Sequence, residues 1–244
     1  MRLERALDNF AFAIIKVAAR APRGGFVAAR LLSKFRKGLR KYPVPTRYGL
    51  IICDLGEPIC FPLVQFGEYS WRDDEIAFAR IGIISTSVVV DIGANIGVTT
   101  HLFAKQASHV HAFEPAPRAL ELLRANAGKN VTVHAVALSD ANGTARFEQC
   151  QKLDLSHISE AGIEVPMRTL DSFGLKPTFI KIDVEGHEPR VLRGATETLK
   201  SSPIVMFEAL NEDARRECED VILAANPRYR FERVSKHNCV GWPI

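Results

Sequence analysis

The sequence predicts an α/β protein, a mostly parallel sheet with helices on both faces, preceded by a helical N-terminal extension. Three observations carry that prediction. From Val88 onward, short continuous apolar runs alternate with helix-patterned segments, as in a parallel sheet covered on both sides. A turn bearing two glycines follows the first of those runs. The charge is also divided along the chain. Residues 1–47 hold twelve basic and two acidic residues, 12 − 2 = +10, which leaves 20 − 26 = −6 for residues 48–244.

Length and composition set the limits. At 244 residues, 47% hydrophobic and 25% charged, the chain is neither disordered nor collagen-like and can bury a sizeable core. The expected domains are a basic amphipathic extension over 1–45 and one α/β domain over 46–244. Five cysteines (Cys53, Cys60, Cys150, Cys218, Cys239) form no C-x-x-C pair and are odd in number. That disfavours a disulfide framework or a zinc site and fits a reducing cytoplasm. No apolar run approaches the length of a membrane span. Phe10 to Ala19 follows Arg2 and Arg5 as a signal-peptide core would, but Lys16 interrupts it and Glu4 and Asp8 spoil the basic front. A cytoplasmic location is expected.

In the extension, Leu3, Leu7, Phe10, Ile14 and Val17 recur at helical spacing. After the breaker Ala21-Pro22-Arg23-Gly24-Gly25 the pattern returns at Ala28, Leu32, Phe35 and Leu39. Two readings stand: a helical cap packed on the body, or an arm whose residues 1–42 touch anionic lipid or an acidic partner. Pro43-Val44-Pro45 ends the arm. Leu50–Cys53 and Ile59–Phe61 read as hairpin strands, and Trp71–Ile81 as a helix with an acidic start at Asp73-Asp74-Glu75.

Five strands are then predicted: Val88–Val90, Val110–Phe113, Val131–Val136, Phe179–Ile182 and Ile204–Phe207. Helices are expected over His101–Lys105, Arg118–Ala127, Pro189–Leu199 and Ala214–Ala224. The segment 144–168 interrupts the alternation as a hairpin or loop.

The first strand and its turn, Val88-Val-Val-Asp-Ile-Gly-Ala-Asn-Ile-Gly97, place Asp91 at a strand end and Gly93 and Gly97 before a helix. In an open parallel sheet that crevice binds ligands. A nicotinamide cofactor needs G-x-G-x-x-G, and here Asn95 stands where its pyrophosphate requires bare backbone. Asp91 would repel a pyrophosphate but attract an ammonium group. S-adenosylmethionine carries such an ammonium and no phosphate, so the turn favours it. Glu114 ends the second strand 23 residues later, placed to accept from ribose hydroxyls or, alternatively, to cap the next helix. At the third strand's tip, Leu138 could lie against adenine and Asp140 accept from its amino group; the alternative is a plain Asp-Ala-Asn-Gly turn over 140–143.

The fourth strand delivers Asp183, Glu185, His187 and Glu188 to the same edge. Together Asp91-Ile-Gly-Ala-Asn-Ile-Gly97, Ala112-Phe-Glu-Pro115, Thr169-Leu-Asp-Ser172 and Lys181-Ile-Asp-Val-Glu-Gly-His-Glu188 resemble the successive motifs of the FkbM-type methyltransferases, over 67–208. The resemblance implies a Rossmann-like class I methyltransferase fold, a seven-stranded sheet with its final strand antiparallel. It implies S-adenosylmethionine as cofactor and a hydroxylated small molecule, sugar or glycoconjugate as methyl acceptor. Asp91, Gly93, Asn95, Gly97 and Glu114 would hold the cofactor, and Asp183, Glu185 and His187 would line its reactive end. His187 is the expected base for the acceptor hydroxyl, or else a helix-entry residue bonding backbone. Asp183 or Glu185 could orient the hydroxyl or bind the cofactor ammonium.

No metal is expected, because Asp183 with Glu208 or Asn211 has no supporting ligand spacing. His101, His109, His111, His134, His157 and His237 show no metal spacing either, and Trp71 and Trp242 read as packing residues. The acidic body disfavours a nucleic-acid substrate. The rival from another class is a non-catalytic cofactor-binding or assembly protein, which the intact carboxylates Asp91, Glu114 and Asp183 argue against. The acceptor site is expected in 48–85, 144–168 and 226–244. The oligomeric state is open.

Overall fold

The structure, a computed structural model, describes residues 2–18, 24–69, 72–148, 157–158 and 162–244. The expectations for Ala21–Arg23, Trp71, Cys150 and part of 144–168 lie outside the described residues. The chain divides into two compact units, one built from residues up to Ser70 and the other from Trp71 onward.

In the first unit, helices α1 (Arg2–Ala18) and α2 (Gly24–Phe35) pack on one another. A short 3-10 turn (Lys37–Lys41) leads into the hairpin β1 (Tyr42–Thr46) and β2 (Gly49–Cys53). Helix α3 (Phe61–Phe66) completes the unit. Two expectations change here. Pro43-Val44-Pro45 does not stop the chain's regular structure but forms β1, pairing with Leu50–Ile52. Both strands of a two-stranded ribbon are edges, so prolines two apart lose no ladder bond. The expected strand Ile59–Phe61 is instead a 3-10 turn entering α3, with Pro58 and Pro62 in first-turn positions that need no N–H.

The buried face of α1 also differs from the expected one. Ala11 and Ile15 are buried, Phe12 stacks on Tyr42 with ring centroids 4.5 Å apart, and Asp8 accepts from Arg36 Nε at 2.7 Å. The more conspicuous row Leu3, Leu7, Phe10, Ile14, Val17 is exposed. In α2 most of the expected row is kept, with Ala28 and Leu32 half-buried, whereas Phe35 is exposed together with Leu31. Leu39 is buried but belongs to the 3-10 turn.

In the second unit, helix α4 (Arg72–Ile81) precedes a seven-stranded sheet of order β12-β13-β11-β10-β3-β4-β5. Its strands are β3 (Val88–Ile92), β4 (His109–Phe113), β5 (Val131–His134), β10 (Phe179–Ile182), β11 (Ile204–Glu208), β12 (Tyr229–Arg233) and β13 (Asn238–Pro243). The pairs β5–β4, β4–β3, β3–β10 and β10–β11 are parallel, and β13 is antiparallel to both β11 and β12. The seven strands and the reversed last one match the expected fold. Residues 226–244, expected in the acceptor site, mostly form β12 and β13. Arg80 of α4 holds this edge, donating from its two terminal guanidinium nitrogens to Glu232 at 2.7 Å and lying over Trp242.

The helices between strands are α5 (Val98–Ala104), α6 (Pro117–Asn126), α7 (Glu188–Arg193), α8 (Thr196–Lys200) and α9 (Glu212–Ala225). The single helix expected over 189–199 is two. A Cβ on Gly194 would stand 1.9 Å from the Ser139 carbonyl oxygen, so the chain turns where that backbone presses in. The third strand ends at His134. Beyond it, β6 (Ala137–Leu138) joins a separate four-stranded sheet with β7 (Gly143–Glu148), β8 (His157–Ile158) and β9 (Ile163–Arg168), which realises the expected hairpin. Val90, Ile92, Phe113, Ile180, Ile182, Val191, Leu192 and Phe207 centre the main core, the inward faces of strands and helices. Its burial, at about 25 cal/mol per Å² of apolar surface, is the main force fixing the strand ends that carry the site.

Cys53, Cys60, Cys218 and Cys239 are buried thiols outside any disulfide. Three histidines sit on strands, as expected, yet they lie together. His109 and His111 share a face of β4, and β5 brings His134 beside them, with His111 Nδ1 at 3.1 Å from His134 Nε2. Strand pairing, not sequence spacing, makes that cluster. Burial first, then the neighbours His109 and His134, depress the His111 imidazole to about 4, so it is neutral at pH 7.

Candidate active site

The carboxyl ends of β3, β10 and β11 lie side by side, because β10 pairs in parallel with both neighbours. Asp91 leaves β3 fully buried. Its Oδ2 accepts from Thr99 Oγ1 at 3.0 Å and Thr100 Oγ1 at 2.6 Å, both in the first turn of α5. Its Oδ1 has no hydrogen-bond partner among the described residues.

The turn after β3 is built by close approach. Gly93 takes φ 76°, and a Cβ there would lie 1.8 Å from the Asp183 carbonyl oxygen. Its bare α-carbon therefore admits the end of β10 in the first place. Asn95 adopts φ 51°, a left-handed conformation that asparagine tolerates better than most residues, and its Oδ1 is buried without a hydrogen-bond partner among the described residues. Gly97 is the residue before α5.

Glu114 follows β4 and is buried. Its Oε2 accepts from Asn95 N at 2.9 Å and its Oε1 from Ala116 N at 2.8 Å. The helix-entry reading is realised in part: the carboxylate steadies the entry to α6 and ties it to the glycine turn. Burial pushes its carboxyl up to about 7, against the pull of those two N–H donors. Each oxygen keeps a further lone pair for a hydroxyl donor.

At the next tip, Leu138 is packed into the main core, which leaves its side chain little surface for a ligand ring. Asp140 is exposed, and Ser139 Oγ bonds its Oδ1 at 3.1 Å. Ser139 Oγ also stands 2.9 Å from His187 Nε2. The hydroxyl has one proton, so donation to Asp140 requires Nε2–H to donate to Ser139. His187 is the residue at the entry to α7, as the second reading expected, and its ring is held by the β6 tip. Burial first, and then Arg190, lower its pKa, so it is neutral at pH 7.

Around the end of β10 the structure assembles what the spacing did not show. Lys181 is buried in the strand opposite Asp91, with Nζ 3.1 Å from Asp183 Oδ2 and 3.7 Å from Asp91 Oδ1. Burial alone would lower its pKa, but Asp183, Asp91 and Glu208 together raise it, and it stays charged. Oxygens of Asp183, Glu185 and Glu208 lie within 4.8 Å of one another. Burial first, and then Asp183, Glu185 and Glu188, push the Glu208 carboxyl up to about 8. Its Oε2 is buried with no hydrogen-bond partner among the described residues. From α4, Asp74 faces the same group, fixed by Asn238 Nδ2 at 3.0 Å.

The loop beyond β10 is held in a left-handed turn. Glu185 has φ 56°, a costly conformation for a non-glycine residue, and Gly186 has φ 94°. Buried Glu188 maintains it, with Oε1 accepting from Val184 N at 2.9 Å and Gly186 N at 3.3 Å.

Most of the expected site residues are therefore gathered at one sheet edge, with Leu138 turned to the core and His187 held at the β6 tip. Lys181, Thr99, Thr100, Glu208 and Asp74 are the additions. A lysine inside an otherwise apolar strand, and two hydroxyls just past Gly97, are the signals the sequence offers for them. Glu208 enters the sequence reading only as a metal partner; Asn211, the other, caps α9 by accepting from Ala214 N. Strand pairing nevertheless brings Asp183 and Glu208 together with Glu185 as a group that could hold a metal ion, and Lys181 supplies one positive charge beside Asp183.

The edge fits a cationic, hydroxyl-bearing cofactor such as S-adenosylmethionine. Asp91 Oδ1 and Asn95 Oδ1 are buried acceptors whose hydrogen-bonding capacity such a ligand would use. Glu114 retains lone pairs beside them for ribose.

A family model described as the methyltransferase FkbM domain matches residues 91–226, 136 of the 244 residues. The hexuronic acid methyltransferase AglP of Haloferax volcanii is 31% identical over 132 residues, covering 50% of this chain and 55% of that protein. The crystal structure of a methyltransferase FkbM from Methylobacillus flagellatus KT shares the fold with a TM-score of 0.55 at 18% identity, over 95% of this chain and 58% of its own. The chain thus spans a little over half the length of these two relatives.

Proposed function

The chain belongs to the FkbM methyltransferase family, and from that premise we propose that it methylates a hydroxyl group of a sugar or glycoconjugate, using S-adenosylmethionine. The observation that carries the reading is the unsatisfied Asp91 Oδ1 buried beside Lys181, at an edge with five further carboxylates: Asp74, Glu114, Asp183, Glu185 and Glu208. A sugar acceptor is supported by the hexuronic acid methyltransferase among the relatives.

When bound, the cofactor supplies a methyl group already activated on a sulfonium. The chain's residues bind, orient and deprotonate. Asp91 and Asn95 offer acceptors to the ammonium, Glu114 to the ribose hydroxyls, and exposed Asp140 to the adenine amino group. Lys181 offers a positive charge to Asp91 and Asp183. Asp183 and Glu185 orient the acceptor hydroxyl, and its proton passes to Glu208 Oε2, whose raised affinity for protons suits that role. His187, neutral and anchored on Ser139, positions the loop that carries Glu185.

Calorimetry tests the assignment. S-adenosylhomocysteine should bind and NAD should not. Asp91→Asn keeps an oxygen for Thr99 and Thr100 but loses the charge, and should weaken S-adenosylhomocysteine about tenfold or more. Affinity within twofold of wild type, or binding of NAD alone, refutes the proposal. Labelled methyl transfer to a panel of glycans that includes hexuronic acids then identifies the acceptor.

A further inference from the structure

We infer that helices α1 and α2 form a docking surface for an anionic phospholipid membrane. The apolar row of α1 at 3, 7, 10, 14 and 17 follows a helical repeat, yet it is turned outward, with Phe10 66% exposed. Helix α2 does the same at Val27, Leu31 and Phe35, the last 84% exposed. Packing within the unit uses other faces: Ala11, Ile15 and Phe12 of α1, and Leu32 of α2. Such rows keep large side chains in water unless something covers them.

Charge identifies the occupant. Arg5, Lys16, Arg30, Lys34, Lys37 and Arg40 are exposed around these helices. Of the two acidic residues in 1–47, Asp8 is neutralised by Arg36 at 2.7 Å, which leaves Glu4. A second copy would set +10 against +10 and be repelled. Anionic headgroups would attract each basic residue while the apolar rows enter the acyl boundary, the arrangement of an interfacial amphipathic helix. No helix among the described residues is long and apolar enough to cross a membrane, so the contact lies in the plane of the surface.

Sedimentation of the full chain with vesicles tests this. It should pellet with phosphatidylglycerol–phosphatidylcholine vesicles. Binding should fall on the order of tenfold with phosphatidylcholine alone, and again on raising the salt, which screens the basic residues. Phe10→Glu with Ile14→Glu should remove the binding to a similar extent while leaving the melting curve unchanged. Failure of the wild type to pellet, equal pelleting of the double variant, or equal affinity for neutral vesicles overturns the inference. So does a wild-type dimer in sedimentation velocity that the double variant converts to monomer without any vesicle binding, because the face would then belong to a second copy.

Discussion

Replacing Lys181 with Met removes the cation that lies between Asp91 and Asp183. The side chains of Lys181 and Asp91 are 10% and 0% exposed, and their charged atoms are 3.7 Å apart. Stranding a buried charge in this way costs about 3–5 kcal/mol. Asp183, with its side chain 42% exposed, recovers hydration and adds little to that loss. With a urea slope of about 2 kcal/mol per molar, the unfolding midpoint should fall by roughly 1.5–2.5 M. Fluorescence of Trp242, in β13 of the same sheet, reports the transition. In an Asp91→Asn background no charge is left stranded, so the Lys181→Met loss should shrink by about 2 kcal/mol in a double-mutant cycle. A single-variant loss under about 0.5 kcal/mol, or an unchanged loss in the Asp91→Asn background, would refute the electrostatic account of this edge.

Three further outcomes are expected. Gly93→Ala places a Cβ 1.8 Å from the Asp183 carbonyl oxygen in a left-handed conformation, so thermal or urea unfolding should show a loss of about 2–4 kcal/mol; a smaller one means that the ends of β3 and β10 do not touch as described. The Glu208 carboxyl ionises at about 8 in the folded chain, so methyl transfer should rise as pH passes that value, and Glu208→Gln should abolish the rise. A raised acid stabilises the fold below its ordinary value of 4.5 and loses that contribution as pH climbs through 8, so Glu208→Gln should also flatten the stability–pH profile between those limits.

What the amino-acid order determined by itself was local and periodic. Continuous apolar runs identified all five parallel strands, and the glycine turn with Asp91 marked the sheet edge where the candidate site lies. Glu114, at the end of the second strand, was identified in the same way. These features are legible because each depends on residues a few positions apart. The last two strands were not, since β12 and β13 form an antiparallel edge whose pairing depends on β11 rather than on any apolar run of their own.

Tertiary structure decided everything that depends on two elements meeting. Strand register set Lys181 opposite Asp91 and gathered three histidines that sequence spacing had left scattered. The end of β11 brought Glu208 up to Asp183 and Glu185, where burial first and then those carboxylates push its carboxyl up to about 8. Helix periodicity announced an amphipathic arm, but it could not say which apolar row faces inward. In α1 a narrower face of Ala11, Ile15 and Phe12 packs within the unit, so the larger row stands outward. Periodicity records that a face is apolar, whereas only packing against neighbouring elements determines whether that face is covered.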